Sequence, residues 1–194
     1  MLRSRAPALQ PAPFSPRVID ARAANARRTL RDCSKLRGMP IDDARFKQAM
    51  SHFASGVTVV TTEHQGTPAG MTVASFASLS LNPPLVLVCI EKGVKTHDAI
   101  AAAGVFGVSI LAHSQVEISN RFASKSEDKF TGISVRRGEL GPPLIEGAIC
   151  TLECRVTDRV AGGDHTIFVG EVLHAETISE QPLVYFRSGY RELT

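Results

Sequence analysis

The sequence predicts a mainly β, single-domain fold in which antiparallel strands form a barrel and short helices lie at its periphery. Roughly six or seven apolar or β-branched runs follow one another, and the two longest, residues 149–160 and 166–178, are separated by a glycine-containing link. Only three short segments have helical periodicity. Because the strands do not alternate with long helices, this pattern favours a barrel over a doubly wound parallel sheet.

The first predicted element is a helix over residues 42–54 that begins at Asp42, a favourable N-cap residue. One face of this helix carries Phe46, Ala49, Met50 and Phe53. Their spacing of three and four residues is typical of an amphipathic helix. Further helices are predicted over residues 96–103, stopped by Gly104, and over residues 114–124.

Apolar and β-branched residues predict the strands, with turn residues between them. The predicted strands are residues 57–62, 71–81, 85–90, 105–111, 149–160, 166–178 and 183–187. Asn82-Pro83-Pro84 cannot supply ladder hydrogen bonds and is therefore expected outside the centre of the sheet. Residues 125–147 are polar and interrupted by Gly and Pro, which predicts a long loop region that covers another part of the molecule.

The net charge of +3 conceals an asymmetry between a tail and a body. Residues 1–37 carry nine Lys or Arg and two Asp, a net charge of +7, whereas the rest of the chain carries 13 basic and 17 acidic residues, a net charge of −4. We therefore divide the chain into a basic tail, 1–38, and a domain, 39–194. The tail is interpreted as disordered or as an upstream extension of a start at Met39; nucleic-acid binding, membrane binding and targeting are the alternatives.

Several classes of site and compartment are disfavoured by the motifs. No apolar run approaches the ~20 residues of a membrane span. The four Cys form no CxxC pair and have no His or Cys at matching spacing, so we expect reduced thiols in a cytoplasmic protein and no metal site. No G-x-G-x-x-G motif follows a strand and no P-loop motif occurs, so the common nucleotide-binding signatures are missing.

The segment 70–80 is the first of three that suggest chemistry. It carries the hydroxyl side chains of Thr72, Ser75, Ser78 and Ser80, and an apolar strand follows it. Hydroxyl and backbone N–H groups on a rigid strand can hold the polar, phosphate-bearing part of a ligand. The same hydroxyls can equally satisfy an ordinary strand and turn, and the residues alone favour neither interpretation.

The second and third segments each have a functional and an ordinary interpretation. Lys95-Thr96 opens a predicted helix, where free N–H groups and a cation favour an anion, but a solvated Lys beside an N-cap is more common. Arg121-Phe122 is either a second cation with an aromatic ring or a surface Arg over a core Phe. Gly162-Gly163-Asp164-His165 is a sharp turn whose His165 binds a carboxamide or phosphate group, shuttles a proton or has no task, and the residues alone favour the last.

Six stretches occur together in one order, at residues 53–62, 70–85, 121–125, 128–130, 163–165 and 182–187. Together they resemble the flavin reductase family with the FMN-binding split-barrel fold, the small reductase components of two-component flavin-dependent monooxygenases. The resemblance covers roughly residues 41–191. It implies a homodimer of split β-barrels that binds FMN or FAD, takes hydride from NADH or NADPH, and supplies reduced flavin to a partner monooxygenase.

The resemblance also implies which residues form the site. The flavin would contact Pro68, Ala69, Gly70, Met71, Thr72, Ala74, Ser75, Cys89, Ile90, Glu91, Lys95, Thr96, Arg121 and Phe122. The nicotinamide would contact His165, Tyr185, Phe186, Arg187 and Ser188. Ala74 stands where the family often has Ser or Gln, so one side-chain hydrogen bond to the flavin is expected to be missing.

The implied reaction is hydride transfer from nicotinamide to flavin N5, which depends on positioning and needs no acid–base dyad. His165 is the predicted catalytic residue, with the role of orienting the nicotinamide. The alternative is a non-catalytic flavin-binding or sensor module on the same barrel. Nucleic-acid binding through the tail is disfavoured, because Phe14 is the only aromatic residue among its arginines. Arg136-Arg137 is the one candidate for a 2′-phosphate site, and we favour NADH over NADPH.

Overall fold

A computed structural model of the protein describes residues 41–193, which contain three α-helices and twelve β-strands. The predicted tail and its boundary at Met39 lie outside the described residues. The helices are α1 (Asp43–Met50), α2 (Lys95–Ala103) and α3 (Val116–Ala123), the last preceded by a 3₁₀ turn at His113–Gln115. The strands are β1 (Ser55–Gly56), β2 (Thr58–His64), β3 (Thr67–Val73), β4 (Phe76–Leu81), β5 (Pro84–Glu91), β6 (Val105–Ile110), β7 (Val135–Arg137), β8 (Pro143–Ile145), β9 (Cys150–Gly162), β10 (His165–Thr177), β11 (Val184–Phe186) and β12 (Gly189–Arg191).

Seven strands form one antiparallel sheet in the order β3-β2-β6-β9-β10-β5-β4. The sheet bends round on itself, because β3 contacts β5 although four strands separate them in the order, and α2 contacts β2, β3, β5 and β6. Two smaller antiparallel sheets, β1-β11-β12 and β7-β8, lie outside it. The predicted mainly β fold with peripheral helices is thus confirmed.

The inner face of the curved sheet holds the main hydrophobic core. Strand β5 shows how the sequence builds it, since Val86, Val88 and Ile90 alternate with half-buried or exposed neighbours and are themselves 6, 0 and 0% exposed. Ile100 of α2 covers the core from one side. The other members of this cluster are Val60, Val73, Phe106, Val108, Cys154 and Phe168.

Cysteine 154 lies in that core and is fully buried. Burial, with a smaller contribution from the neighbouring Glu153 carboxylate, raises the pKa of its thiol to about 12. Burial also raises the pKa of the Cys150 thiol. Both are free thiols, as is Cys89. Cys154 is therefore a structural, unreactive residue.

A second cluster lies under α3 and the segment that follows it. Phe122 of α3 is fully buried there with Leu111, Ile145 and Leu183. The predicted helix over 114–124 therefore does carry a buried face, with Val116 and Ile118 packed against the same cluster. Strand β2 serves both cores, because Val60 points into the first and Val59 into the second.

Three segments differ from the sequence prediction. The single strand expected over 71–81 is two strands, because the chain breaks at Ala74-Ser75 between β3 and β4. Residues 125–147, expected to be loop, contain the short pair β7-β8. The strand expected over 183–187 is the first arm of a hairpin whose turn residues, Arg187 and Ser188, have φ values of 48° and 58°. The strands of β7-β8 and β11-β12 have three residues each, which is shorter than periodicity needs for recognition.

The amphipathic helix at the start of the domain is shorter than predicted and has no buried residue. Asp42 is its N-cap as predicted, and its carboxylate accepts a hydrogen bond of 2.8 Å from the backbone N–H of Arg45. The apolar side chains of Phe46 and Met50 are each 54% exposed, and Phe53 is 79% exposed. The apolar stripe therefore exists but does not cover this chain's own core.

Gly170 of β10 sits where the core leaves no room for a side chain. A Cβ atom at this position would lie 2.5 Å from Cζ of Phe106 and 2.9 Å from Cβ of Cys154. A glycine in a strand interior commonly marks such a close approach. The pairing of β10 with β9 also shifts register beside it, between Val169 and Gly170.

We expect Gly170→Ala to lower the free energy of unfolding by about 1–3 kcal/mol, because the added methyl group overpacks the core against Phe106. Urea denaturation followed by circular dichroism measures this change. Gly56→Ala is the matched control, since a Cβ there meets nothing within 4 Å. Equal stability of the two variants would contradict the assignment of Gly170 to a close-packed position.

Candidate functional site

A cavity of about 630 Å³ opens between β3, the end of β5, the N-terminus of α2 and the end of α3. Its size falls in the range of ligand-binding clefts. Its lining combines strand backbone, small side chains, three lysines and two phenylalanines. The lining residues are Pro68, Ala69, Gly70, Met71, Thr72, Glu91, Val94, Lys95, Thr96, Phe122, Ala123, Ser124, Lys125, Ser126, Glu127, Lys129 and Phe130.

Strand β3 supplies one wall of the cavity, and it is an edge strand. Among residues 41–193 it pairs with β2 alone, so its other edge has no strand partner in the described chain. Gly70 is needed in this wall, because a Cβ atom there would lie 2.9 Å from Cε1 of Phe122 and 3.1 Å from Cγ2 of Thr61. The hydroxyl of Thr72 donates a 2.7 Å hydrogen bond to the Ser119 carbonyl and so fastens α3 to the strand.

The N-terminus of α2 supplies the second wall. Its N-cap residue, Val94, makes no side-chain capping hydrogen bond. The first N–H groups of the helix and the positive end of its dipole therefore face this part of the site without a capping oxygen. Lys95 adds an exposed cation and Thr96 a buried hydroxyl at the same place. Such a combination suits a ligand with an anionic group.

The segment from Phe122 to Phe130 supplies the third wall, and we call it the lid segment. The rings of Phe122 and Phe130 meet edge to face, with centroids 5.0 Å apart. The Lys129 ammonium donates hydrogen bonds to the carbonyl of Phe122 at 2.9 Å and of Gly70 at 3.4 Å. The guanidinium of Arg121 donates to the Thr131 carbonyl at 2.5 Å. These contacts fix the segment against β3 and α3.

A carboxylate within the lid segment, that of Asp128, holds the turn at the end of the segment. The side chain and backbone of Thr131 hydrogen-bond to Asp128 and lower the pKa of its carboxyl group. The backbone bond joins Thr131 N to Oδ1 at 3.0 Å. Asp128 is exposed, so its contribution is to local geometry and not to a buried charge pair.

The turn between β9 and β10 lies beside the cavity. His165 stands opposite Glu91, a cavity residue, in the pairing of β10 with β5. Lys92 holds the turn, since its ammonium donates to the Gly163 carbonyl at 2.7 Å and its N–H to the Asp164 carbonyl at 2.9 Å. Nδ1 of His165 lies 2.7 Å from Oδ1 of Asp164, and this contact lowers the pKa of the Asp164 carboxyl group.

The structure brings nine of the predicted flavin-contacting residues together around the cavity. They are Pro68, Ala69, Gly70, Met71, Thr72, Glu91, Lys95, Thr96 and Phe122. Arg121 does not line it, because its side chain is directed to Thr131. Ile90 does not line it either: its side chain is fully buried in the main core.

The other predicted contact residues do not line the cavity. Ala74 and Ser75 form the break between β3 and β4, where Ser75 exchanges two 3.1 Å hydrogen bonds with Cys89 of β5. Tyr185, Phe186, Arg187 and Ser188 lie on the β11-β12 hairpin, outside the cavity lining. This hairpin contacts the end of α1, since the N–H of Arg187 donates to the Ser51 carbonyl at 2.8 Å.

Sequence reasoning missed most of the lid segment. Lys125, Lys129 and Phe130 line the cavity but were assigned no role. The predicted long loop that covers another part of the molecule was the available signal, and 128–130 was among the stretches that carried the resemblance. Charge alone could not select Lys129, because its burial and partners depend on the approach of α3 to β3.

Comparison with known proteins places this geometry in a family. Residues 50–194 match the family described as the flavin reductase like domain. The reductase component of 4-nitrophenol 4-monooxygenase/4-nitrocatechol 2-monooxygenase from Rhodococcus opacus is 42% identical over 151 residues, covering 78% of this chain and 81% of the relative. The reductase component of 4-hydroxyphenylacetate 3-monooxygenase from Thermus thermophilus is 41% identical, with coverages of 76% and 95%.

Solved structures agree with the sequence relatives. The NADH:FAD oxidoreductase SgcE6 of Streptomyces globisporus C-1027 has a TM-score of 0.77 at 37% identity, covering 80% of this chain and 95% of that one. SgcE6 has also been solved in complex with NAD and FAD fragments. The flavin reductase PheA2 has a TM-score of 0.75 at 38% identity, with coverages of 79% and 99%. The chain therefore belongs to the flavin reductase family, and the resemblance drawn from its motifs is confirmed.

Two further findings concern the part of the chain that the structure describes. Within residues 41–193, no group of three or more His, Cys, Asp or Glu side chains is arranged to hold a metal ion. No helix in the same range has the length and apolar character needed to cross a membrane.

Proposed function

We propose that the protein is an NAD(P)H:flavin oxidoreductase that reduces FMN or FAD and supplies the reduced flavin to a partner monooxygenase. The observation that carries the proposal is the cavity itself, which joins an unpaired strand edge, an uncapped helix N-terminus and three lysines. A flavin nucleotide presents the complementary groups, a flat ring with a polar edge and an anionic phosphate. Relatives named as reductase components of monooxygenases support the partner.

The residues of the cavity fit a flavin in their chemistry. The unpaired edge of β3 offers backbone N–H and C=O groups to the polar edge of the ring, and Gly70 leaves the strand surface flat beside Phe122. The N–H groups at the start of α2, with Lys95 and Thr96, suit the phosphate. When bound, the flavin supplies the electron-accepting centre, and the protein holds it in place.

Hydride transfer depends on the orientation of the two ligands more than on proton transfer by a side chain. With both ligands bound, the reaction would be a direct hydride transfer from nicotinamide to flavin, and positioning would supply much of its catalysis. His165 is exposed enough to meet a second ligand and lies opposite Glu91 at the cavity. Its role is to hydrogen-bond the nicotinamide, while Asp164 fixes one ring nitrogen and leaves the other free.

The hydride donor we favour is NADH. A 2′-phosphate site needs a free cation, and Arg136-Arg137 was the candidate. Arg136 is instead bonded to Glu176 at 2.6 Å and to the Thr151 hydroxyl at 2.8 Å. Arg137 is paired with Glu63. Neither arginine lines the cavity.

The direct test is an activity assay with purified protein. We expect NADH oxidation, followed at its absorbance band, only when FMN or FAD is added, because the flavin is the electron acceptor. NADPH in place of NADH separates the two donors. Absence of flavin-dependent oxidation with either donor would refute the proposed activity.

The alternative function is a flavin-binding or sensor module without a nicotinamide site, and His165 separates it from the reductase. We expect His165→Ala to raise KM for NADH while Kd for FMN stays unchanged, because the imidazole contacts the nicotinamide alone. Steady-state kinetics and flavin fluorescence quenching measure the two constants. His64→Ala, a change in a histidine outside the cavity lining, is the control. Wild-type kinetics for His165→Ala would remove its assigned role.

We infer that the protein is a homodimer, and its exposed apolar side chains support this. Phe46, Met50 and Phe53 of the α1 region and Leu79 and Leu81 of edge strand β4 are all at least half exposed, Leu81 by 92%. An apolar helix face and an apolar sheet edge without a covering element are typical of association surfaces. The inferred cytoplasmic location accords with the free thiols of Cys89, Cys150 and Cys154.

The dimer prediction can be tested on α1. We expect the double variant Phe46→Glu/Met50→Glu to sediment as a monomer where the wild type sediments as a dimer, because two charges would be desolvated at the interface. Analytical ultracentrifugation measures the change. Ile178→Glu is the matched control, since Ile178 is 52% exposed but lies directly after β10, away from α1 in the sequence. A wild-type monomer, or a variant that remains dimeric, would contradict the assignment of this surface.

A further inference from the structure

Lys129 differs from the other lysines of the cavity in being half-buried. Lys95 and Lys125 are exposed to solvent, whereas the Lys129 side chain lies between β3 and the end of α3. Its ammonium group donates to two carbonyls, those of Phe122 and Gly70, and carries three N–H groups. Among residues 41–193, no carboxylate lies within ion-pair distance of it.

A partly desolvated cation without a counter-ion is costly to hold. Burial lowers the pKa of Lys129, which expresses the same cost, since the charged form loses solvation. The two carbonyls offset part of this loss through their dipoles, but neither carries a net charge. An anion that entered the cavity would therefore gain more from Lys129 than from a solvated lysine.

The surroundings of Lys129 are also positive on balance. Three lysines and two glutamates line the cavity, and neither Glu91 nor Glu127 forms an ion pair with a lysine in the described chain. The open N-terminus of α2 adds its partial positive charge. The electrostatic field of this space consequently favours a ligand with a permanent negative charge.

We propose that the Lys129 ammonium group binds the phosphate group of the flavin nucleotide. The proposal rests on the proposed function, because it takes the ligand to be FMN or FAD. The phosphate is the permanent anion that both share, whereas the oxidised ring is neutral. Bound phosphate would also tie the lid segment to the ligand, since Lys129 already joins that segment to the carbonyl of Gly70 on β3.

A purely structural role is the competing explanation. Lys129 bonds to a carbonyl at the end of α3, where a cation stabilises the helix terminus. In that case its replacement would loosen the lid segment and weaken every flavin alike. Riboflavin distinguishes the two roles, because it has the same ring and ribityl chain as FMN and lacks the phosphate.

The experiment compares FMN and riboflavin binding to flavin-free protein by fluorescence quenching. We expect Lys129→Met to raise Kd for FMN by roughly tenfold, the loss of one charge-assisted hydrogen bond, and to leave Kd for riboflavin unchanged. Lys129→Arg should retain most of the FMN affinity because it keeps the charge. Lys125→Met is the control for an exposed lysine on the same wall, and should change Kd for FMN less.

The outcomes separate the proposal from the proposed function. Equal weakening of FMN and riboflavin in Lys129→Met, or no change in either, would overturn the role of Lys129 while leaving flavin binding in place. Wild-type protein that binds neither flavin would overturn the proposed function together with this proposal. If Lys129→Met does not fold by circular dichroism, Lys129→Gln takes its place, with the same expected loss confined to FMN.

Discussion

The pairing of β9 with β10 is the constraint on which the rest of the structure depends. These two 13-residue strands occupy the middle of the seven-stranded sheet, with β6-β2-β3 on one side and β5-β4 on the other. The cavity is lined by β3, from the first side of the sheet, and by the end of β5, from the second. Their approach requires the sheet to bend tightly, and Gly170 at a register shift of β10 admits the ring of Phe106 where the core is closest.

The same pairing links the core to the chemistry of the site. Strand β10 begins at His165, and the preceding turn is held by Lys92, which directly follows the last residue of β5. His97 of α2 adds a contact of 2.9 Å between its Nε2 and the Thr166 hydroxyl. The two proposed ligand-binding regions, the α2 end of the cavity and the His165 turn, are therefore fixed to one another by short contacts. A displaced hairpin would disturb both.

The sequence was sufficient for the long elements and for the family, and insufficient for much of the site. Residues 149–160 and 166–178 have strand character over many positions, and Asp42 and Gly104 mark helix ends by their own local chemistry. The short strands β7 and β8 pair with one another but have only three residues each, too few for a strand period to be recognised. Arg121 and Lys129 could not be told apart from the sequence, because both are basic residues near the end of one helix. The fold directs the Arg121 side chain to Thr131 and the Lys129 side chain into the cavity.

The two edges of the main sheet differ in what the rest of the described chain places against them. An unpaired edge must be covered or blunted, because its free N–H and C=O groups otherwise recruit other strands. At β3 the cover is α3 with the lid segment, which still leaves backbone groups open to the cavity. At β4 no element of the described chain pairs with the outer edge, and Leu79 and Leu81 are exposed there. We assign the first edge to the proposed ligand, and the second edge, with the α1 face, to a second copy of the chain.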